Sequence, residues 1–154
     1  MFPTSHTLCK FAIASVLLLG FAATAQAAEC SANLEGNDMM KFDKSNIDVP
    51  KSCATFTINL KHVGKFAKNM MGHNVVIGKA SDIAGIDADG IKAGLTADYV
   101  KAGDSRVVAH SKIIGGGEST SLSFPVARIS AGGYDFFCSF PGHSALMKGT
   151  LTVK

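Results

Sequence analysis

The sequence predicts an all-β domain, a Greek-key β-sandwich or barrel, with one short helix inserted between two strands. Two observations predict this fold class: short segments alternate apolar and polar residues, and turn-forming residues separate them at regular spacing. A third observation is one segment, residues 80–102, which lacks the alternation and is rich in Ala, Asp and Gly. Of the 154 residues, 47% are hydrophobic and 18% are charged, which excludes a disordered or fibrous protein.

Residues 1–27 have the three parts of a secretory signal peptide. Lys10 is the one charged side chain of this segment, and the apolar run at 11–25 is shorter than the about 20 residues of a membrane span. The small residues of Ala25-Gln26-Ala27 then form a cleavage pattern. We predict a signal peptide at 1–27 and one exported domain at 28–154, located in the periplasm without a membrane anchor. Glu29 argues against a lipid anchor on the residue that follows it.

The mature chain holds an odd number of cysteines, because Cys9 leaves with the signal peptide. In an oxidising compartment two of the remaining three should pair and one should stay free for a reason. Cys30 and Cys53 flank a stretch with turn signals at 35–38 and 48–50, so we predict that these two form a disulfide. Cys138 is then the free thiol.

The strands are predicted in chain order from the alternating segments. The clearest is 55–62, where Phe56, Ile58, Leu60 and His62 share one face. Further strands are predicted at 75–77, 106–114, 119–126, 134–139 and 149–153. The three glycines at 115–117 predict a hairpin between 106–114 and 119–126. Residues 80–102 are interpreted as an insertion whose short helix lies near 95–101.

A thiol, an imidazole and a thioether lie within ten residues of one another near the C-terminus. Cys138, His143 and Met147 stand on a predicted strand end and the loop that follows. Soft sulfur ligands together with imidazole suit copper better than calcium or magnesium. A trigonal site of one Cys and two His with a weak axial Met needs one more histidine, and His73, at the start of a strand, is the best candidate. His62 on an apolar strand face is interpreted as a buried structural histidine, and His110 as exposed.

These motifs resemble the type 1 copper site of the cupredoxins, and the mature chain resembles the azurins among them over essentially its whole length. The resemblance rests on residues 28–31, 36–38, 71–74 and 134–143. It implies His73, Cys138 and His143 as equatorial copper ligands, Met147 and the Gly72 carbonyl as weak axial donors, and the disulfide inferred above. It also implies a flap at 80–102, and backbone N–H groups of Asn74 and Phe140 that donate to the Cys138 sulfur. Val75 departs from the pattern, because azurins often carry a tryptophan there.

The function that the resemblance implies is transport of single electrons through a Cu(I)/Cu(II) couple, without enzymatic activity. A copper chaperone or storage protein is the alternative, but it would favour exposed, exchangeable ligands. A copper nitrite reductase would need a second, histidine-rich copper site, for which His62 and His110 are too few. The implied partners are redox proteins such as c-type cytochromes or periplasmic reductases, and we expect a monomer. The basic residues are scattered at a net charge of +3, which argues against nucleic acid as a partner.

Apolar residues are concentrated on the loops beside the predicted ligands, where polar residues are usual. We interpret them as a docking surface for redox partners, because exposed apolar patches commonly mark interaction sites. The predicted surface consists of Phe66, Met70, Met71, Pro141 and Leu146.

Overall fold

Two β-sheets pack face to face in the computed structural model, which describes residue 1 and residues 29–154. Apart from residue 1, the predicted signal peptide and its cleavage site lie outside the described residues. Within the described part of the chain, no helix combines the length and the apolar character that crossing a membrane requires.

The first sheet has four strands. They are β1 (Ser31–Asn37), β2 (Lys41–Phe42), β4 (Thr55–His62) and β7 (Ser119–Pro125), in the spatial order β2-β1-β4-β7. β1 and β4 run parallel, and β4 pairs antiparallel with β7. β4 has the bounds predicted from its alternation, and its apolar residues face the core as expected.

The second sheet has five strands. They are β3 (Asn46–Val49), β5 (Val76–Lys79), β6 (Val107–His110), β8 (Tyr134–Phe137) and β9 (Lys148–Val153), in the order β3-β9-β8-β5-β6. β3 and β9 are parallel, whereas the pairs β9-β8, β8-β5 and β5-β6 are antiparallel. The all-β prediction is confirmed, although the sequence patterns did not indicate β1, β2 and β3.

The core fills the space between the two sheets with apolar side chains from both. Phe56, Ile58 and Leu60 of β4 are buried against Ile77 of β5 and Phe136 of β8. The predicted disulfide between Cys30 and Cys53 is present, which ties the start of β1 to the loop before β4.

The hairpin predicted around the three glycines is wrong. β6 belongs to the five-stranded sheet and β7 to the four-stranded sheet, so residues 111–118 cross between the sheets. Ile114 is buried and exchanges two backbone hydrogen bonds with His73, which draws this segment into the core. The glycines serve close packing rather than a hairpin turn, because a Cβ at Gly116 would collide with the backbone of Lys65.

The inserted helix is also displaced from its predicted position. Two short α-helices are described, α1 (Lys68–Met71) and α2 (Ile83–Ala93), and α2 lies before the predicted 95–101. A short 3-10 turn covers Leu95–Ala97 instead. Glycine is a poor helix former, so Gly85 and Gly90 lower the intrinsic helix preference of residues 83–93. Gly90 is nevertheless required, because it packs against the backbone carbonyl of Tyr99 so closely that no Cβ would fit.

Candidate metal centre

The loop between β8 and β9 carries three of the predicted ligands. Cys138 directly follows β8 and Met147 directly precedes β9. The Cys138 N–H donates to the Met147 carbonyl at 2.9 Å, and the Met147 N–H donates to the His143 carbonyl at 2.8 Å. The two strands therefore fix both ends of a tight loop at one end of the sandwich.

His73 approaches the same point from a different part of the chain. Its backbone forms an isolated bridge with Ile114, and its side chain is fully buried. The Nε2–H donates to the Asn37 carbonyl at 2.9 Å, which leaves Nδ1 without a proton. That Nδ1 lies 4.0 Å from the Cys138 sulfur. The carbonyl of the first sheet thus selects the ring nitrogen that can bind a metal.

His143 presents its own Nδ1 to the same sulfur at a distance of 3.6 Å. Its ring packs against the rings of Phe140 and His73, with centroids 4.6 and 5.2 Å away, and the residue is only 3% exposed. Burial lowers the pKa of His143 to about 4, and burial also lowers the pKa of His73. Both imidazoles are therefore neutral near pH 7, as a metal ligand must be.

Cys138 is a buried thiol whose surroundings favour a bound cation. Burial raises the pKa of this thiol to about 12, although backbone N–H groups of Asn74 and Phe140 donate to the sulfur and oppose the shift. The thiolate form thus requires a positive charge beside it. A trigonal ion with bonds of about 2.0 Å to nitrogen and 2.3 Å to sulfur needs S···N separations of about 3.7 Å. The separations of 3.6 and 4.0 Å fit that requirement.

The two predicted axial donors lie at the same site. The Gly72 carbonyl oxygen is 3.8 Å from the Cys138 sulfur. Met147 is fully buried, and a Cβ built at Gly36 would lie 3.4 Å from the Met147 Cε and 2.9 Å from the His73 Cδ2. Gly36 therefore leaves the space in which the imidazole and the thioether lie side by side.

The Asn74 side chain connects the two ligand-bearing segments. Its Oδ1 accepts a hydrogen bond from the Ser139 N–H at 2.9 Å, and its Nδ2 donates to the Ser139 hydroxyl at 2.8 Å. Nδ2 also donates to the Asp98 carbonyl at 2.9 Å. All polar atoms of this amide are used, and the residue is fully buried. These bonds fix the position of His73 relative to Cys138, because the two residues directly precede Asn74 and Ser139 in the chain.

His62 lies beside His73, and both of its ring nitrogens form hydrogen bonds. Its Nδ1 accepts from the Gly64 N–H at 3.0 Å, so its Nε2–H donates to the Met71 carbonyl at 2.8 Å. Its ring stacks on that of His73 at 4.2 Å. This placement agrees with the interpretation of a buried structural histidine. His110 is exposed at the end of β6.

The residues of the predicted docking surface are exposed to different degrees. Leu146 and Met70 are each 65% exposed and Phe66 is 47% exposed, whereas Met71 and Pro141 are half-buried. Met39, in the turn after β1, is 71% exposed and was not included in the predicted surface. It lies two residues after Asn37, whose carbonyl holds His73.

Sequence reasoning missed several residues that shape the site. Asp98 has a left-handed backbone with φ of 55°, and its carboxylate accepts a hydrogen bond from the Ile113 N–H at 2.8 Å. Tyr99, also left-handed, packs edge-on against Phe140. An Asp in a turn was the available signal, since Asp tolerates this conformation. The inserted segment thus supports the ligand loop instead of standing apart from it.

Among the described residues, only one group of three or more His, Cys, Asp or Glu side chains has its donor atoms close enough to share a metal ion. This group is His73, Cys138 and His143. Residues 28–154 match the family described as copper binding proteins of the plastocyanin/azurin family. The chain belongs to this family. Its membership identifies copper as the metal, in agreement with a donor set of thiolate, imidazole and thioether.

Individual relatives within the plastocyanin/azurin family are similar over almost their full length. The azurin of Bordetella pertussis is 57% identical over 138 residues, which cover 89% of this chain and 92% of that protein. The azurin of Pseudomonas aeruginosa is 53% identical over 146 residues, which cover 94% and 98% of the two chains. A solved structure of the azurin Az-iso2 from Methylomonas sp. strain J superposes with a TM-score of 0.79 at 42% identity, covering 82% of this chain and 99% of that one.

Proposed function

We propose that the chain is a periplasmic carrier of single electrons that binds one copper ion. The observation that carries the proposal is the buried meeting of one thiol and two neutral imidazoles, with S···N distances of 3.6 and 4.0 Å. Copper supplies the one-electron Cu(I)/Cu(II) couple when it is bound. The residues that would hold it are His73 through Nδ1, Cys138 through Sγ and His143 through Nδ1, with the Met147 thioether and the Gly72 carbonyl as weaker donors.

The protein holds this ligand set in one arrangement. His73 is fixed by the Asn37 carbonyl, Cys138 by β8, and His143 by the closed loop that ends at β9. The surrounding side chains leave the thiol and His73 with no exposed surface, so water does not take part. A site that neither gains water nor moves its ligands needs little rearrangement when its charge changes by one electron.

The backbone N–H groups of Asn74 and Phe140 tune the site by donating to the Cys138 sulfur. Hydrogen bonds to a ligating thiolate withdraw electron density from it and raise the reduction potential. Asn74 also keeps the two ligand segments together through its side chain, so one residue serves both the geometry and the potential.

The mature domain at 28–154 would follow cleavage of the signal peptide at 1–27 and would act as a monomer. Its partners are redox proteins such as c-type cytochromes or periplasmic reductases, which dock on the apolar surface of Phe66, Met70, Met71, Pro141 and Leu146. Three of these side chains are at least 47% exposed. A small apolar contact, below about 1,200 Å², suits a partner that must bind and leave quickly.

Burial of the ligands argues against the alternative of a copper chaperone or storage protein. Such a protein must pass its metal to a partner, whereas Cys138 and His73 have no exposed surface here. An enzyme of the nitrite reductase type would require a second metal site, and the two remaining described histidines do not meet: His62 is held by backbone groups and His110 is exposed.

The experiment that tests the proposed site is the substitution Cys138→Ser. We expect the copper(II)-loaded protein to be intensely blue and the variant to be colourless but folded, because the copper–thiolate bond is lost while the core is kept. Visible absorption and circular dichroism measure the two properties. His110→Ala is the matched control, which should remain blue. A blue Cys138→Ser protein, or a colourless loaded wild type, would contradict the assignment.

A further inference from the structure

Helix α2 brings an acidic side chain into contact with the loop that carries the ligands. The Ser144 hydroxyl donates to Asp87 Oδ2 at 3.0 Å, and Ser144 directly follows His143. The other carboxylate oxygen, Asp87 Oδ1, is buried. Among the described residues, it is the one buried side-chain nitrogen or oxygen without a hydrogen-bond partner. Burial raises the pKa of Asp87, and the hydrogen bond from Ser144 only partly opposes this shift.

Helix α2 holds Asp87 in place for this contact, because the helix packs on β5 and β8, the two strands next to ligand residues. Ile86, the residue before Asp87, is fully buried against Val76 of β5 and Phe137 of β8. Phe137 directly precedes Cys138. At the other end of the helix, Gly90 packs against the Tyr99 backbone. The packing that positions Asp87 therefore also positions the Cys138 thiol.

The carboxylate of Asp87 is not explained by stability. Its neighbour on the helix, Asp89, forms ion pairs with Lys92, Lys101 and Arg106, but none of the ion pairs found among residues 29–154 includes Asp87. A buried acceptor without a partner costs about 1–3 kcal/mol, more when it is charged. An amide of the same shape would avoid the charge at this position and keep the contact with Ser144.

The charge of Asp87 lies close to the metal site. Its carboxylate accepts a hydrogen bond from Ser144, the residue after His143. Ile86, the residue before Asp87, packs against Phe137, the residue before Cys138. Negative charge near a redox centre favours the state with more positive charge, because opposite charges attract more strongly in a poorly solvated region. For a copper site that state is the oxidised one.

We propose that Asp87 is a positioning residue of the copper site, which anchors the ligand loop through Ser144 and lowers the reduction potential through its negative charge. The effect on the reduction potential rests on the proposed function, whereas the anchoring of the loop does not. The anchoring of the loop can be measured without metal, so the two parts can fail separately.

The test of the charge compares Asp87→Asn with Asp82→Asn, the control that removes an equal charge at the start of the same helix. Both copper-loaded variants and the wild type are titrated with redox mediators at about pH 8, well above the usual aspartate pKa of about 3.9. We expect Asp87→Asn to raise the ratio of reduced to oxidised protein at least threefold at a fixed potential, with an unchanged absorption maximum. Equal ratios for the two variants would overturn the role of the charge.

The test of the anchor uses amide hydrogen exchange of the metal-free protein. In the ligand loop, the N–H groups of Leu146 and Met147 both donate to the His143 carbonyl. We expect Ser144→Ala to accelerate their exchange at least tenfold, and Asp87→Asn, whose amide oxygen can still accept from Ser144, to leave it nearly unchanged. Wild-type exchange rates in Ser144→Ala would overturn the anchor, whatever the copper-loaded protein does.

Discussion

The imidazole of His73 illustrates how single backbone groups decide what a side chain can do. Its Nε2–H is donated to the Asn37 carbonyl at 2.9 Å, so the ring nitrogen without a proton is Nδ1, which lies 4.0 Å from the Cys138 sulfur. The ring is also confined on a second side by His62, which stacks on it at 4.2 Å. Gly36 confines it on a third side, since a Cβ there would lie 2.9 Å from the ring. The histidine is thus held by its neighbours before any metal arrives.

Substitution of Gly36 tests this confinement. Gly36→Ala should force the His73 ring to move and should destabilise the metal-free protein by about 1–3 kcal/mol, the usual cost of overpacking. The copper absorption band should also shift, because one ligand changes its angle. Urea unfolding and the visible spectrum measure both effects. Asn33→Ala, at an exposed position of the same strand, should change stability by no more than about 0.5 kcal/mol; equal effects of the two substitutions would refute the confinement.

At the scale of elements, α2 and the loop that follows it are attached to the rest of the domain by an ion-pair network. The Arg106 guanidinium donates to Asp104 Oδ2 at 2.6 Å and to Asp89 Oδ2 at 2.7 Å. Asp89 belongs to α2, whereas Asp104 and Arg106 precede β6. The network therefore joins the helix to the edge of the five-stranded sheet.

The pH dependence of stability should report this network. Hydrogen bonds from Arg106 lower the pKa of Asp104 to about 2 from its ordinary value of 3.8. A lowered pKa contributes stability that is complete above pH 3.8 and is lost as the pH falls towards 2. Asp104→Asn should therefore cost about 1 kcal/mol near neutral pH, a modest figure because Arg106 is partly solvated and screened. The difference from the wild type, measured by urea unfolding, should disappear below pH 2; a constant difference would exclude this origin.

Local pattern predicted the meeting of Cys138, His143 and His73 and most strands, but not the contacts that glycines make. The alternation of 55–62 predicted β4 without error, because one face of that strand is buried and the other faces solvent. Cys138, His143 and Met147 were found because their spacing lies within one loop. In contrast, Gly116 was interpreted as part of a hairpin turn, although it packs closely against the backbone of Lys65. The close contact of Gly90 with the Tyr99 backbone was not predicted either. Asp87 could not be found either, since its partner Ser144 is distant in sequence.

At the scale of the whole molecule, the proposed docking surface would set how two molecules meet. Leu146 and Met70 are each 65% exposed, and Leu146 directly precedes the buried Met147. If two copies exchange electrons through this surface, each must bring it to the contact. Docking would then depend on removing water from both.

A lysine in this surface should obstruct docking. Leu146→Lys should slow electron self-exchange at least tenfold, because two like charges must meet and lose water when two copies dock. The absorption spectrum should be unchanged, since Leu146 is not a ligand. NMR line broadening in mixtures of oxidised and reduced protein measures the rate. Ala127→Lys, exposed at the opposite end of the sandwich, is the matched control. Wild-type self-exchange in Leu146→Lys would place the contact elsewhere on the surface.

The position of β9 in the second sheet has a consequence for the order in which the molecule is made. β9 follows every other strand among residues 29–154, yet it lies between β3 and β8 and pairs with both. While the ribosome still holds β9, β3 lacks its partner and the loop ending at Met147 is not closed. The metal site is consequently assembled only after β9 has been released and paired, and a nascent chain that lacks β9 has no formed pocket with which to capture a metal ion.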